Sequence, residues 1–123
     1  MTAEDWIARL GLVQGTMPRL SGGQAVGCSP VATAFAEDAP VVPVRPATVA
    51  HSLAIGAPAD GDLAVATARA AGGFIHAIPE DEVGKNMALL AETAGIFGET
   101  AAGVTVGALK AAAEAGQLGP TDR

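Results

Sequence analysis

Lysine is scarce in this chain: Lys85 and Lys110 are the only two in 123 residues, and the five arginines are scattered, with no basic run. Phosphate backbones are bound by clustered Lys and Arg, so this scatter and a net charge of −6 argue against a nucleic-acid surface. Cysteine is scarcer still. Cys28 alone rules out an internal disulfide and a cysteine metal cluster. Long apolar runs are missing as well: Arg69 or Glu99 interrupts the weakly polar stretches, short of the roughly 18–20 residues that a membrane span requires. The opening residues, Met1 to Asp5, are acidic and lack the basic segment of a secretory signal, so a cytoplasmic location is expected.

Aromatic side chains are few (Trp6, Phe35, Phe74 and Phe97), although 50% of the residues are apolar. Alanine, glycine and valine carry the hydrophobicity. Elements must therefore approach closely, and each residue buries little area. A mean hydropathy of +0.37 is high for a small free-standing domain with a large surface to keep wet. It suits a buried slice of a larger α/β protein.

Capping and periodicity predict the elements. Thr2 as cap, Asp5 three residues on, and the stripe Trp6, Ile7 and Leu10 before Gly11 predict a first helix. Met17–Val26 reads as a strand followed by a close-approach turn. Ser29-Pro30 restarts a helix to about Phe35 or Ala36, with Ser as N-cap and Pro at the first helical position. The prolines at 40, 43 and 46 mark residues 38–47 as a connector. A short helical turn over Thr48–Leu53 follows, then a loop with Gly56 and Pro58. Asp60 caps a helix over Leu63–Ala71 that stops at Gly72-Gly73, and Phe74–Ile78 is the best second strand.

Pro79 opens the next helix. Glu80, Asp81 and Glu82 set negative charge against its N-terminal dipole, Val83, Met87, Leu90 and Ala94 share one face, and Gly95 closes it. The last helix, Glu99–Ala115, is apolar almost all round, the mark of a helix buried on every side. Two strands joined by helical crossovers imply a parallel sheet. Two strands do not make a complete one, and the shortage hints that part of the domain lies elsewhere.

Chemistry-bearing residues are thin on the ground. Lys85 sits beside acidic residues and Lys110 near a helix C-terminus, both settings for plain surface lysines. Gly22-Gly23 and Gly27 invite a phosphate-loop reading but lack the Walker lysine and the dinucleotide spacing, so tight strand–helix packing is the preferred reading. Cys28 has no partner motif for a nucleophile and reads as a core thiol. His51 and His76 have no supporting ligand spacing for a metal.

Three segments carry a resemblance. Pro18-Arg19-Leu20-Ser21-Gly22-Gly23-Gln24-Ala25-Val26-Gly27-Cys28-Ser29-Pro30 is similar to the strand and Gly-Cys-small-Pro helix start of the threonine synthase family. Thr48-Val49-Ala50-His51-Ser52-Leu53-Ala54-Ile55-Gly56-Ala57-Pro58-Ala59 resembles that family's Thr-Ile-Ala…Ile-Gly-x-Pro-Ala loop. Gly95-Ile96-Phe97-Gly98-Glu99-Thr100-Ala101-Ala102 resembles that family's Gly-Ile/Val-Phe-x-Glu-Pro/Thr-small-small helix entry. The order and spacing match over nearly the whole chain. Dehydratases of the same group usually carry Asp-Gly where His51-Ser52 stands, which favours threonine synthase over threonine dehydratase.

The resemblance implies an α/β fold: a partial parallel sheet with helices, part of the large domain of a fold-type II (tryptophan synthase β-like) pyridoxal-phosphate enzyme. Residues 1–123 then form a single incomplete domain, the C-terminal part of that large domain. It implies pyridoxal phosphate as cofactor and O-phosphohomoserine as substrate, converted with water to threonine and phosphate. Ser52 is placed where the backbone abuts the cofactor ring, and Glu99 where a carboxylate stands close to it; a plain first-turn carboxylate is the equal alternative for Glu99. No Schiff-base lysine motif and no phosphate cradle are found, so no catalytic residue is assigned and the chain alone is expected to be inactive. Alternatives are a non-catalytic association module, half of a split enzyme with a complementary N-terminal chain, or a homo-oligomer.

Overall fold

Two four-residue strands, β1 (Gly22–Ala25) and β2 (Ile75–Ile78), pair in parallel, with Gly22 opposite Ile75 and Ala25 opposite Ile78. The computed structural model describes residues 10–12, 18–120 and 122. The chain continues from β1 into α1 (Pro30–Glu37), a 3-10 turn at His51–Leu53, and α2 (Gly61–Ala70). After β2 come α3 (Glu80–Ala94) and α4 (Thr100–Glu114). The predicted α/β class and parallel sheet are present. Apart from Leu10, the predicted N-terminal helix lies outside the described residues.

Helices cover both faces of the sheet. α1 packs against both strands and carries α2 on its flank, while α3 and α4 form the opposite layer, with α4 on the strands. The core between the sheet and this second layer is built from small side chains: Ala25, Ala50, Ile78, Val83, Val104 and Ala108, with Leu53 and Met87 at its margin. This is the close approach that an alanine- and glycine-rich composition demands.

The first strand is shorter than the segment read as strand and turn over Met17–Val26: Gly22-Gly23 are the strand's own first residues, and the 3-10 turn Val26–Cys28 follows. A Cβ on Gly23 would stand 2.8 Å from Ala108 Cβ and 3.2 Å from the Val104 carbonyl oxygen. Glycine is present because a helix backbone comes close to the strand, the tight strand–helix packing that the sequence favoured over a phosphate loop.

The last helix corrects the sequence reading. It buries Gly103, Val104, Gly107, Ala108 and Ala112 but leaves Thr105, Leu109 and Lys110 exposed, so it has one covered face rather than burial all round. Its glycines sit where α3 and β2 press closest. A Cβ on Gly107 would meet Asn86 Nδ2 at 2.6 Å and Ile78 Cγ2 at 2.7 Å. That packing offsets the roughly 1 kcal/mol that each interior helix glycine costs.

Two predicted caps also act differently. Ser29 and Asp60 stand at N-cap positions without a side-chain cap bond. The α1 amides of Val31 and Ala32 donate instead to Gln24 Oε1, at 2.9 and 3.0 Å. Asp62, in the first turn of α2, accepts from the Val41 amide at 2.8 Å. In α3, Val83 is fully buried and Met87 and Leu90 partly so, but Ala94 is exposed. Gly95 ends α3 in the left-handed region, as its type predicts.

Candidate functional site

In open α/β sheets, ligand crevices form beyond the carboxyl ends of the parallel strands. Here that end is made by the 3-10 turn Val26–Cys28 after β1, by Pro79 and Glu80 after β2, and by the segment 47–53 between them. The segment is knitted in from both sides. The Val44 amide donates to the Gly56 carbonyl at 2.9 Å, and the Ala47 amide to the Gly27 carbonyl at 2.8 Å. Gly27 must be glycine at this crossing, since a Cβ there would run into the Ala47 carbonyl and lie 2.7 Å from Glu80 Oε1.

Glu80 holds this corner together. Its Oε1 accepts from the Gly27 amide at 2.8 Å, and its Oε2 accepts from the Val49 amide at 2.8 Å and the Thr48 hydroxyl at 3.0 Å. Thr48 Oγ1 in turn accepts from the Ala50 amide at 3.0 Å. Burial raises the Glu80 pKa, but the bonds from Val49, Gly27 and Thr48 outweigh it and hold the carboxyl below its ordinary value. Sequence reasoning assigned this residue only to the helix dipole. The usable signal was an acidic side chain next to the strand-ending proline, where a carboxylate can turn back over the sheet's end.

Ser52 lies in the 3-10 turn that ends this segment and is exposed. The turn is anchored by its neighbours: Ala50 is fully buried, Leu53 packs at the core margin, and the turn lies against α4. Glu99 is the N-cap of α4, also exposed, with extended backbone; its carbonyl accepts from the Ala102 and Gly103 amides. Ile78, at the end of β2, meets Gly107, whereas His76, earlier in that strand, bonds Gln117 past the end of α4. α4 therefore runs antiparallel to the strands and brings Glu99 to the same end of the sheet as the Ser52 turn. Among the described residues neither side chain makes a hydrogen bond.

The remaining candidates fall into structural roles. Lys85 Nζ binds Glu82 at 2.6 Å and Asp81 at 3.2 Å, and Lys110 Nζ approaches Glu82 at 3.5 Å. Bonds to Glu82 and Asp81 raise the Lys85 pKa. His76 Nε2 pairs with Gln117 Oε1 at 2.7 Å, and its ring leans on Phe74 at a centroid distance of 5.1 Å. Cys28 is buried and free. The α1 start cannot serve as an anion nest with its Val31 and Ala32 amides already taken by Gln24. No helix among the described residues is long and apolar enough to cross a membrane.

Comparison with known proteins places the chain in a family. Threonine synthase of Methanocaldococcus jannaschii is 31% identical over 109 residues, 87% of this chain and 27% of that protein. Threonine synthase of Methanosarcina acetivorans is 28% identical over 109 residues with the same coverage. Threonine synthase of Synechocystis sp. is 33% identical over 93 residues, 76% of this chain and 23% of that protein. The chain spans about a quarter of the length of these curated relatives. The family of pyridoxal-phosphate dependent enzymes matches residues 7–123, and this α/β chain belongs to that fold-type II family.

Proposed function

We propose that this chain is part of a cytoplasmic threonine synthase-type enzyme, which converts O-phosphohomoserine and water to threonine and phosphate. It contributes one wall of the coenzyme site, with the backbone at Ser52 and the carboxylate of Glu99 turned toward the cofactor ring. By itself it does not turn over that substrate. Pyridoxal phosphate supplies its enzymes with an electron sink, and it needs an uncharged amine and a set of anion-binding donors to be held. The described residues do not fit the whole group. The single observation that carries the reading is that both lysines stand in surface ion pairs, Lys85 with Asp81 and Glu82 and Lys110 with Glu82. For Lys85, the bonds to Glu82 and Asp81 favour the charged form. The test is phosphate release from O-phosphohomoserine by the purified chain with added pyridoxal phosphate. Background release is expected, and sustained release above it overturns the reading.

A second reading is favoured by the surface: an association module, or one half of a divided enzyme. Leu109 of α4 is 57% exposed and Phe97 93%. Each strand has one edge without a strand partner among the described residues. Apolar grooves of about 320 and 220 Å³ flank β1 and share Ser21 and Gly22. Surfaces of this kind need covering. Molar mass in solution tests it: concentration-dependent association supports this reading, and a stable monomer with a single sharp melting transition overturns it.

A further inference from the structure

We propose that Glu80 is the positioning residue of the candidate site: its carboxylate fixes the 47–53 segment, and with it the Ser52 turn, against the end of β1. The inference rests on the reading of that turn as the cofactor-side wall.

Three observations converge. The two carboxylate oxygens divide their work between two pieces of chain that otherwise meet through the Ala47 amide on the Gly27 carbonyl: Oε1 takes the Gly27 amide from the turn after β1, and Oε2 takes the Val49 amide and the Thr48 hydroxyl from the loop. The bonded positions lie 53 and 31 residues away in sequence, so the contact is a tertiary clamp rather than a helix cap. Thr48 passes the restraint on, because its hydroxyl oxygen accepts from the amide of Ala50, the fully buried residue that precedes the His51–Leu53 turn. The path from Glu80 to Ser52 thus runs Thr48, Ala50, turn, without a break. A carboxylate is required because all three groups that meet it are donors, and a neutral amide would turn an NH₂ toward at least one of them.

The test is amide hydrogen exchange and chemical shift on the chain itself, comparing wild type with Glu80→Ala, Glu80→Gln and Glu80→Asp. In the Ala and Gln variants, exchange at Gly27 and Val49 is expected to accelerate by at least about ten-fold, the scale of losing a charge-assisted bond in a locally opening segment. The Ser52 amide resonance moves with it, while Ala77 in β2 and Ala108 in α4 keep their protection. Glu80→Asp, which keeps the charge, restores at least part of the protection at Val49. Unchanged exchange at Gly27 and Val49 overturns the proposal. So does a uniform acceleration across all elements, or loss of the fold in both the Ala and Gln variants, since Glu80 would then be a general stabiliser. No coenzyme or substrate enters this experiment. Its failure leaves the threonine synthase reading standing, and phosphate release by the chain would leave the clamp standing.

Discussion

Gln24 of β1 places its side-chain oxygen 2.9 Å from the amide of Val31, so a strand residue caps the helix that follows it. The same oxygen serves Ala32 at 3.0 Å, and both of these residues are buried. Replacing Gln24 by Ala leaves two buried donors without a partner, each worth about 1–3 kcal/mol when unmet. Urea denaturation of Gln24→Ala is expected to show a loss of at least about 1 kcal/mol with an unchanged slope. A midpoint equal to wild type would show that water replaces the cap without cost.

Two helix glycines have opposite expectations. A Cβ added at Gly84 in α3 would meet nothing within 4 Å, whereas one at Gly107 in α4 would meet Asn86 and Ile78 at 2.6 and 2.7 Å. Gly84→Ala is expected to stabilise by about 0.5–1 kcal/mol through helix propensity. Gly107→Ala gains the same propensity but forces α4 away from β2, and is expected to destabilise by about 1–3 kcal/mol net. Thermal melts of the two variants check the sign. Equal shifts would mean that the α4 contact gives way without cost.

The depressed pKa of Glu80 makes a pH prediction. Because the folded value lies below that of the free side chain, the unfolded chain binds the proton first as pH falls. The contribution of Glu80 is therefore fully present above about pH 4.3 and is lost as pH drops through the folded value. The melting temperature of wild type should exceed that of Glu80→Gln near about pH 7, and the gap should narrow as pH falls below the ordinary carboxylate range. Glu82 and Asp122 also have lowered values, from Lys85 and from the Gly119 amide and Arg19 respectively, but they are common to both proteins and cancel in the comparison. A gap that stays constant with pH would remove the charge from the explanation.

Local chemistry made α3 legible: Pro79 before it, three acidic residues in its first turn, and Gly95 at φ 70° after it are all short-range signals. The same holds for β2, a compact apolar run before that proline. What was hidden depended on distant partners. Glu80 looks like a dipole residue until Gly27 and Val49 are folded beside it. Gly22-Gly23 reads as a place of tight packing, but which helix presses there is settled only when α4 is laid across the strand. The exposure of Leu109 was hidden by the uniformly apolar neighbourhood of α4, where composition cannot say which side meets the sheet. Ser52 and Glu99 were placed by resemblance alone, and the fold brings them to one end of the sheet through elements that local pattern had largely predicted.

The parallel pairing of Gly22 with Ile75 sets a kinetic condition on this small chain. A parallel pair cannot close through a hairpin, so α1, the 47–53 segment and α2 must all be spanned before the strands meet. The entropy of closing that long loop is lost before any ladder bond compensates for it, which slows assembly relative to a helical bundle of equal size. Stopped-flow refolding should accordingly fall in the millisecond-to-second range rather than microseconds, and until the ladder forms the bare strand edges stand open to neighbouring molecules.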